Sequence, residues 1–403
     1  MLELKQLQDK IRGSLLGGAI GDALGYPVEF MTFDQIVQTY GNPDTRSGII
    51  DYHLNSNSKA LISDDTQMSL FTANGLLFGI TRWAMYGGLA DLDGYVSYAY
   101  QEWYETQVGI RDRDKFHLCW IRDIPALNAK RAPGITCMEA LYHLSNGMKV
   151  RNNSKGCGGV MRVAPIGLMA AARYDKLMPS HWSGERVARL SATCAAITHK
   201  HPLGYISAAF HALLIYNLLL CEEGITSEKF ENLCEKTFRE LNEYFTQRED
   251  QSAIIELWSM SRRALSMANQ IREPASQVIP TIGAGWVGEE AVAIALYCVK
   301  RNISGYTGEF KQAIIDAVNH DGDSDSTGSL CGNIMGAIVG YNYIQDEYKY
   351  HLELLPVILE LADDMYNGCQ IEAYESTEYW TTMQHAWYDK YVNIHIPDAY
   401  KRQ

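Results

Sequence analysis

Two short stretches concentrate carboxylates beyond what a solvated surface needs. Ser63-Asp64-Asp65-Thr66 stands directly before an apolar run (Met68, Leu70, Phe71, Leu76, Leu77), and Asp321, Asp323 and Asp325 alternate through Asp321-Gly322-Asp323-Ser324-Asp325-Ser326-Thr327-Gly328. In the first, Ser63 reads as a helix N-cap and the aspartates as its first turn, a placement the helix dipole favours without any further role. Capping does not account for the second, because three alternate aspartates on a glycine-containing turn repel one another unless a cation lies among them. A calcium EF-hand starts in the same way, yet it needs Gly where Ser326 stands and a bidentate Glu where Gly332 stands. If the two stretches meet in space, Asp64, Asp65, Asp323 and Asp325 join the hydroxyls of Ser63 and Ser326 in an all-oxygen set. Such a set suits Mg²⁺ or Mn²⁺, and four carboxylates balance two divalent ions. A metal pair of that kind clamps neighbouring oxygens of a substrate and polarises water.

Other groups could serve an anionic ligand. Lys155-Gly156-Cys157-Gly158-Gly159 leads into Val160-Met161-Arg162, and glycine-rich backbone can aim N–H groups at a phosphate, although the G-K-[ST] ending of a P-loop is missing. His199-Lys200-His201-Pro202 supplies imidazoles, but an isolated H-x-H is more often loop chemistry than a metal site. Cys157 with His199 as base would need a third orienting group that the sequence does not supply. Glu29 follows Pro27, which ends a helix carrying Asp22 and leaves the carboxylate on a loop.

The elements that must position these groups are helical. Leu7, Ile11, Leu15 and Ala19 recur four apart, long Ala/Leu-rich stretches follow, and alternating strand patterns are scarce. The expected fold class is all-α, a compact multi-helix bundle with a central metal cleft. Gly13, Gly17, Gly21 and Gly25 form one stripe at a period of four, and Gly328, Gly332, Gly336 and Gly340 another. Each glycine inside a helix costs about 1 kcal/mol against alanine, which close backbone approach can offset; the plainer alternative is packing against large side chains. The expected division is a domain over 1–365 and, over 366–403, an extension rich in Tyr and Trp (Tyr374, Tyr379, Trp380, Trp387, Tyr388, Tyr391) without helical periodicity, packed on the core.

Composition narrows the classes. At 47% hydrophobic and 21% charged, the 403 residues are ordinary for a globular chain, and a net charge of −13 disfavours nucleic acid. Nine scattered cysteines without C-x-x-C spacing fit a reducing, cytoplasmic setting. The start MLELKQLQDK does not read as a signal peptide, and the run from Ala208 to Leu220 falls short of a membrane span, so no membrane partner is expected.

Taken in order, Gly13 to Gly25, Ile62 to Met68, Gly156 to Arg162, Thr198 to Pro202, Gly283 to Ala291 and Gly322 to Gly328 resemble the motifs of the ADP-ribosylglycohydrolase family. The resemblance implies an all-α fold holding two Mg²⁺ or Mn²⁺ on Ser63, Asp64, Asp65, Asp323, Asp325 and Ser326. It implies catalytic roles for Asp64, Asp65 and Glu29. It places contacts to the diphosphate and distal ribose on the Gly156 to Arg162 loop (Gly156, Cys157, Gly158, Gly159 and Met161) and His199, and contacts beside the adenosine end at Gly283, Gly285 and Trp286. The expected activity is hydrolysis of ADP-ribose from a modified protein, with free ADP-ribose as product. Ser in place of Thr at 63 and 326 resembles the arginine-specific branch. Rival readings are serine-linked ADP-ribose, O-acetyl-ADP-ribose, an ADP-ribosylated nucleobase, or a non-catalytic protein; the aromatic tail raises an ADP-ribosyltransferase as a docking partner.

Overall fold

The two glycine stripes face each other. The Leu4–Gly25 helix runs antiparallel to the Ser324–Val339 helix, with Gly13 opposite Gly336, Gly17 opposite Gly332, Gly21 opposite Gly328, and Gly25 against Ser324. A Cβ on Gly17, Gly21, Gly332 or Gly336 would run into the carbonyl oxygen of Gly332, Gly328, Gly17 or Gly13 respectively. Only glycine permits such an approach along the whole seam. Ser14 and Asn333 lock its register, since Ser14 Oγ donates to the Asn333 carbonyl at 2.8 Å and Asn333 Nδ2 to the Ser14 carbonyl at 2.9 Å. Close approach, rather than packing on large side chains, is what the stripes serve.

This computed structural model describes residues 4–87, 91–110, 116–173, 182–270, 272–304, 307–371 and 380–400. Around the seam lie buried helices, chief among them Asp64–Tyr86, Ala164–Arg173, Pro202–Leu219 and Gly288–Asn302, with the amphipathic Ser227–Tyr244 and Arg248–Gln270 outside. Among the described residues the only paired strands are Ile303–Ser304 and Thr307–Gly308, a minimal antiparallel hairpin, so the fold is all-α. Pro202–Leu219 is long and apolar enough to cross a membrane by length and composition, but it is packed inside the protein as a core helix.

The C-terminal stretch departs from expectation in one respect. Thr382–Tyr391 is a helix, started by a capping box between Thr381 and Gln384. Its apolar face is short and mixed with polar residues, which hides the period. Trp387 and Tyr391 are buried; Trp387 Nε1 donates to Thr81 Oγ1 at 3.0 Å, and Lys390 and the Tyr391 hydroxyl meet Asp364. Tyr374 and Tyr379 lie outside the described residues.

Candidate active site

The seam ends where the chemistry begins. Asp22, one turn before Gly25, is a lone charge in an otherwise apolar and glycine-rich part of its helix, and it is fully buried. Its carboxylate accepts from Ser63 N (3.0 Å), Thr66 N (3.1 Å) and Thr66 Oγ1, so it caps the Asp64–Tyr86 helix from another segment. Ser63 caps the same helix locally, its Oγ accepting from Asp65 N at 3.2 Å. The second acidic helix is capped within its own turn: Ser326 N donates to Asp323 Oδ1 (3.3 Å) and Asp325 Oδ1 (2.9 Å). Asp321 turns away and accepts the Phe33 amide instead, tying down the loop that bears Glu29. Gly25 packs on the first residues of this helix, so the chain leaving Gly25 passes through the Tyr26–Val28 turn and delivers Glu29 to its acidic start. One carboxylate oxygen each of Glu29, Asp323 and Asp325 lies within 4.8 Å of the others.

A cleft of about 350 Å³ opens over these groups. Glu29, Asp64, Asp65, Asp323, Asp325 and Ser326 line its floor, and Gly156, Cys157, Gly158, Met161, His199 and Trp286 its walls. Ser63, Gly159, Gly283 and Gly285 do not line it. Ser63 is buried beneath Asp65, Gly159 packs on His199, and Gly285 packs on Asp323 and Thr327. Gly283 packs against Glu290, whose carboxylate accepts from Ala284 N (3.0 Å) and Gly285 N (3.1 Å); Ala284 O in turn accepts from Asp323 N at 2.9 Å. The glycines of that motif therefore hold the floor from behind.

Burial and mutual repulsion dominate the electrostatics. Burial, and then the charge of Asp325, pushes Asp22 up to about 7 and Glu29 up to about 10, and holds Asp64, Asp65 and Asp323 well above the usual carboxylate range. Asp65 Oδ2 and Glu29 Oε2 are buried without a hydrogen-bond partner. Orphaned hard oxygens among repelling carboxylates fit a divalent cation, which supplies the missing charge and coordination.

The walls carry different chemistry. Cys157 Sγ donates to Asp323 Oδ2 at 2.6 Å, and burial followed by the Asp323 charge pushes the thiol up, so it is a protonated donor rather than a nucleophile. His199 is buried, and burial together with Arg162 pushes it down to about 3, leaving it neutral. His201 Nδ1 accepts from Leu203 N at 3.1 Å as a helix cap, so the H-x-H pair is split between two tasks. At the mouth Phe30 stacks on Trp286 with centroids 5.1 Å apart; they are 70% and 39% exposed, and Phe30 holds a left-handed φ of 66°. Sequence reasoning assigned no role to Asp22 or Phe30, although an isolated aspartate in a glycine helix was a signal for the first.

The family model described as ADP-ribosylglycohydrolase matches residues 3–374. The ADP-ribosyl-[dinitrogen reductase] glycohydrolase of Rhodospirillum rubrum is 24% identical over 86% of this chain and 92% of that protein. The ADP-ribosylhydrolase ARH3 of Mus musculus is 26% identical over 50% of this chain and 53% of that protein. A solved ADP-ribosylglycohydrolase-related protein complex shares the fold, with a TM-score of 0.57 at 19% identity over 90% of this chain and 99% of that one. An acidic cleft at the end of a glycine seam, on a chain matched almost throughout by this model, makes the protein a member of the ADP-ribosylglycohydrolase family.

Proposed function

We propose that this hydrolase removes ADP-ribose from arginine side chains of modified proteins with the help of two Mg²⁺ or Mn²⁺ ions. The observation that carries the reading is the meeting of both acidic helix starts and Glu29 on one cleft floor. Ser63, Asp64, Asp65, Asp323, Asp325 and Ser326 would hold the metals, with the Ser63 hydroxyl also accepting the Asp65 amide. The ions supply charge neutralisation and Lewis acidity toward vicinal ribose hydroxyls. Hydrolysis breaks the bond from the anomeric carbon to the guanidine nitrogen; water adds its oxygen to that carbon and a proton goes to the departing guanidine. Glu29 and Asp65 each keep an oxygen without a protein partner, which suits them to orient water and move that proton. The Phe30–Trp286 pair flanks the entrance.

Arginine as the linkage rests on Ser63 and Ser326, the form of both motifs that resembles the arginine-specific branch. The deciding assay incubates the purified protein with arginine-, serine- and nucleobase-linked ADP-ribose and with O-acetyl-ADP-ribose, measuring ADP-ribose released. Release from the arginine conjugate alone is expected. Preference for another conjugate overturns the linkage, and no release from any, with no divalent metal retained on elemental analysis, overturns the enzyme reading.

A further inference from the structure

Arg162 is fully buried, and among the described residues none of its contacts is a carboxylate. It lies 4.3 Å from the Tyr100 ring centroid, and its Nη atoms reach Met68 Sδ (3.5 Å), Cys137 Sγ (3.3 Å), the Cys194 carbonyl (3.3 Å) and Thr198 Oγ1 (2.6 Å). A buried cation without a counter-charge is costly, so its place calls for explanation. Met161 and Cys137 line the cleft, which puts the guanidinium one side chain behind its lining, against Met68 of the helix that starts at Asp64.

The strongest of these bonds has a consequence for the next residue. Thr198 Oγ1 lies 2.8 Å from His199 Nδ1. With Arg162 filling one lone pair of that oxygen, the hydroxyl proton has a near acceptor in Nδ1. Its other outlets are poorer: the Ala195 carbonyl at 3.5 Å and the Cys137 sulfur. A hydroxyl proton given to Nδ1 makes that nitrogen an acceptor, and the neutral ring then carries its own proton on Nε2. Nε2 faces the Gly156–Gly158 turn, where a Cβ on Gly156 would stand 3.2 Å from it. The ring's backbone is pinned as well: Asn152 Nδ2 donates to the Thr198 carbonyl (2.7 Å), and Asn152 Oδ1 accepts from Lys200 N (3.1 Å).

Resting on the reading of this cleft as an ADP-ribose site, we infer that Arg162 and Thr198 are positioning residues. They fix His199 as the Nε2–H tautomer and so present an uncharged N–H donor, backed by a buried cation, to the ligand's diphosphate. The relay touches neither metal ligands nor the reacting carbon, so it acts on binding rather than on the chemical step.

The test reads the tautomer directly, without ligand. In ¹⁵N-histidine-labelled protein, with the resonance assigned by its loss in His199→Gln, wild-type His199 is expected as the Nε2–H form. Thr198→Ser keeps the hydroxyl and should keep that signature; Thr198→Val should mix the tautomers and weaken ADP-ribose binding about tenfold by calorimetry, with metal content unchanged. An Nδ1–H ring in the wild type overturns the relay whatever the variants do, as does Thr198→Val with both the wild-type tautomer and wild-type affinity. A wild type with the Nε2–H ring that binds no ADP-ribose supports the relay and removes the ligand assignment instead.

Discussion

The floor of the cleft and its wall are built by opposite means. The floor and the buried Asp22 behind it gather like charges: Asp22, Asp64, Asp65, Asp323, Asp325 and Glu29 converge because two glycine helices touch backbone to backbone and their ends arrive together. Among the described residues the wall holds no carboxylate of its own; it consists of the Gly156–Gly159 turn, a protonated Cys157, a neutral His199 and, behind them, Arg162, whose hydrogen-bond partners include no carboxylate. The two parts of the lining thus differ in charge, which suits a ligand that carries both metal-binding hydroxyls and phosphates.

That contrast can be broken from either side. On the floor, Asp325→Ala should have the largest effect, a fall in ADP-ribose release of roughly a thousandfold or more with loss of bound metal; near wild-type turnover would remove the floor from the chemistry. Gly332→Ala drives a methyl group into the Gly17 carbonyl, and separating the helices should cost about 3 kcal/mol in denaturant unfolding. The same change at Gly134, where a Cβ meets open space, should cost far less.

Removing metal should reveal the repulsion. The folded-state pKa values of Asp22 (about 7) and Glu29 (about 10) lie above those of the unfolded chain, so the metal-free fold holds the extra protons. Their contribution to its stability is complete below about pH 4, falls by about 1.4 kcal/mol per pH unit for each extra proton the fold holds, and is lost as pH rises through about 7 for Asp22 and about 10 for Glu29. Thermal melts in EDTA should fall between pH 5 and 9, and Mg²⁺ should flatten the decline; a melt that rises with pH in EDTA would contradict the buried-repulsion picture. Changes to the wall should be milder and of another kind. His199→Gln is expected to raise KM about tenfold with kcat largely kept, and Trp286→Ala to raise KM a few-fold with stability changed by less than about 0.5 kcal/mol. A fall in kcat without a change in KM at His199 would erase the distinction between floor and wall.

Much of this was legible locally. The helix starts at Ser63 and Asp323 follow from capping preferences that act over two or three residues, and the all-α class from apolar spacing. The Thr382–Tyr391 helix escaped because the only apolar residues it buries are Trp387 and Tyr391, too few to set a period. Ser63, Gly159, Gly283 and Gly285 carry no signal that separates lining the cleft from supporting it, since that depends on which side of a loop faces solvent.

What the sequence determined by itself is a set of parts: two glycine stripes with no Cβ to keep another backbone away, two acidic helix starts, and a glycine turn before an arginine. Only the tertiary structure decided that the stripes meet each other in antiparallel register and that Asp22 caps a helix some forty residues away. It alone also placed Glu29 against Asp325 and, among the described residues, set Arg162 behind His199 with no carboxylate partner. The physical reason is range. Capping and periodicity act within a turn or two of helix, whereas the repulsion on the floor and the setting of the wall's buried cation exist only between residues that folding brings together.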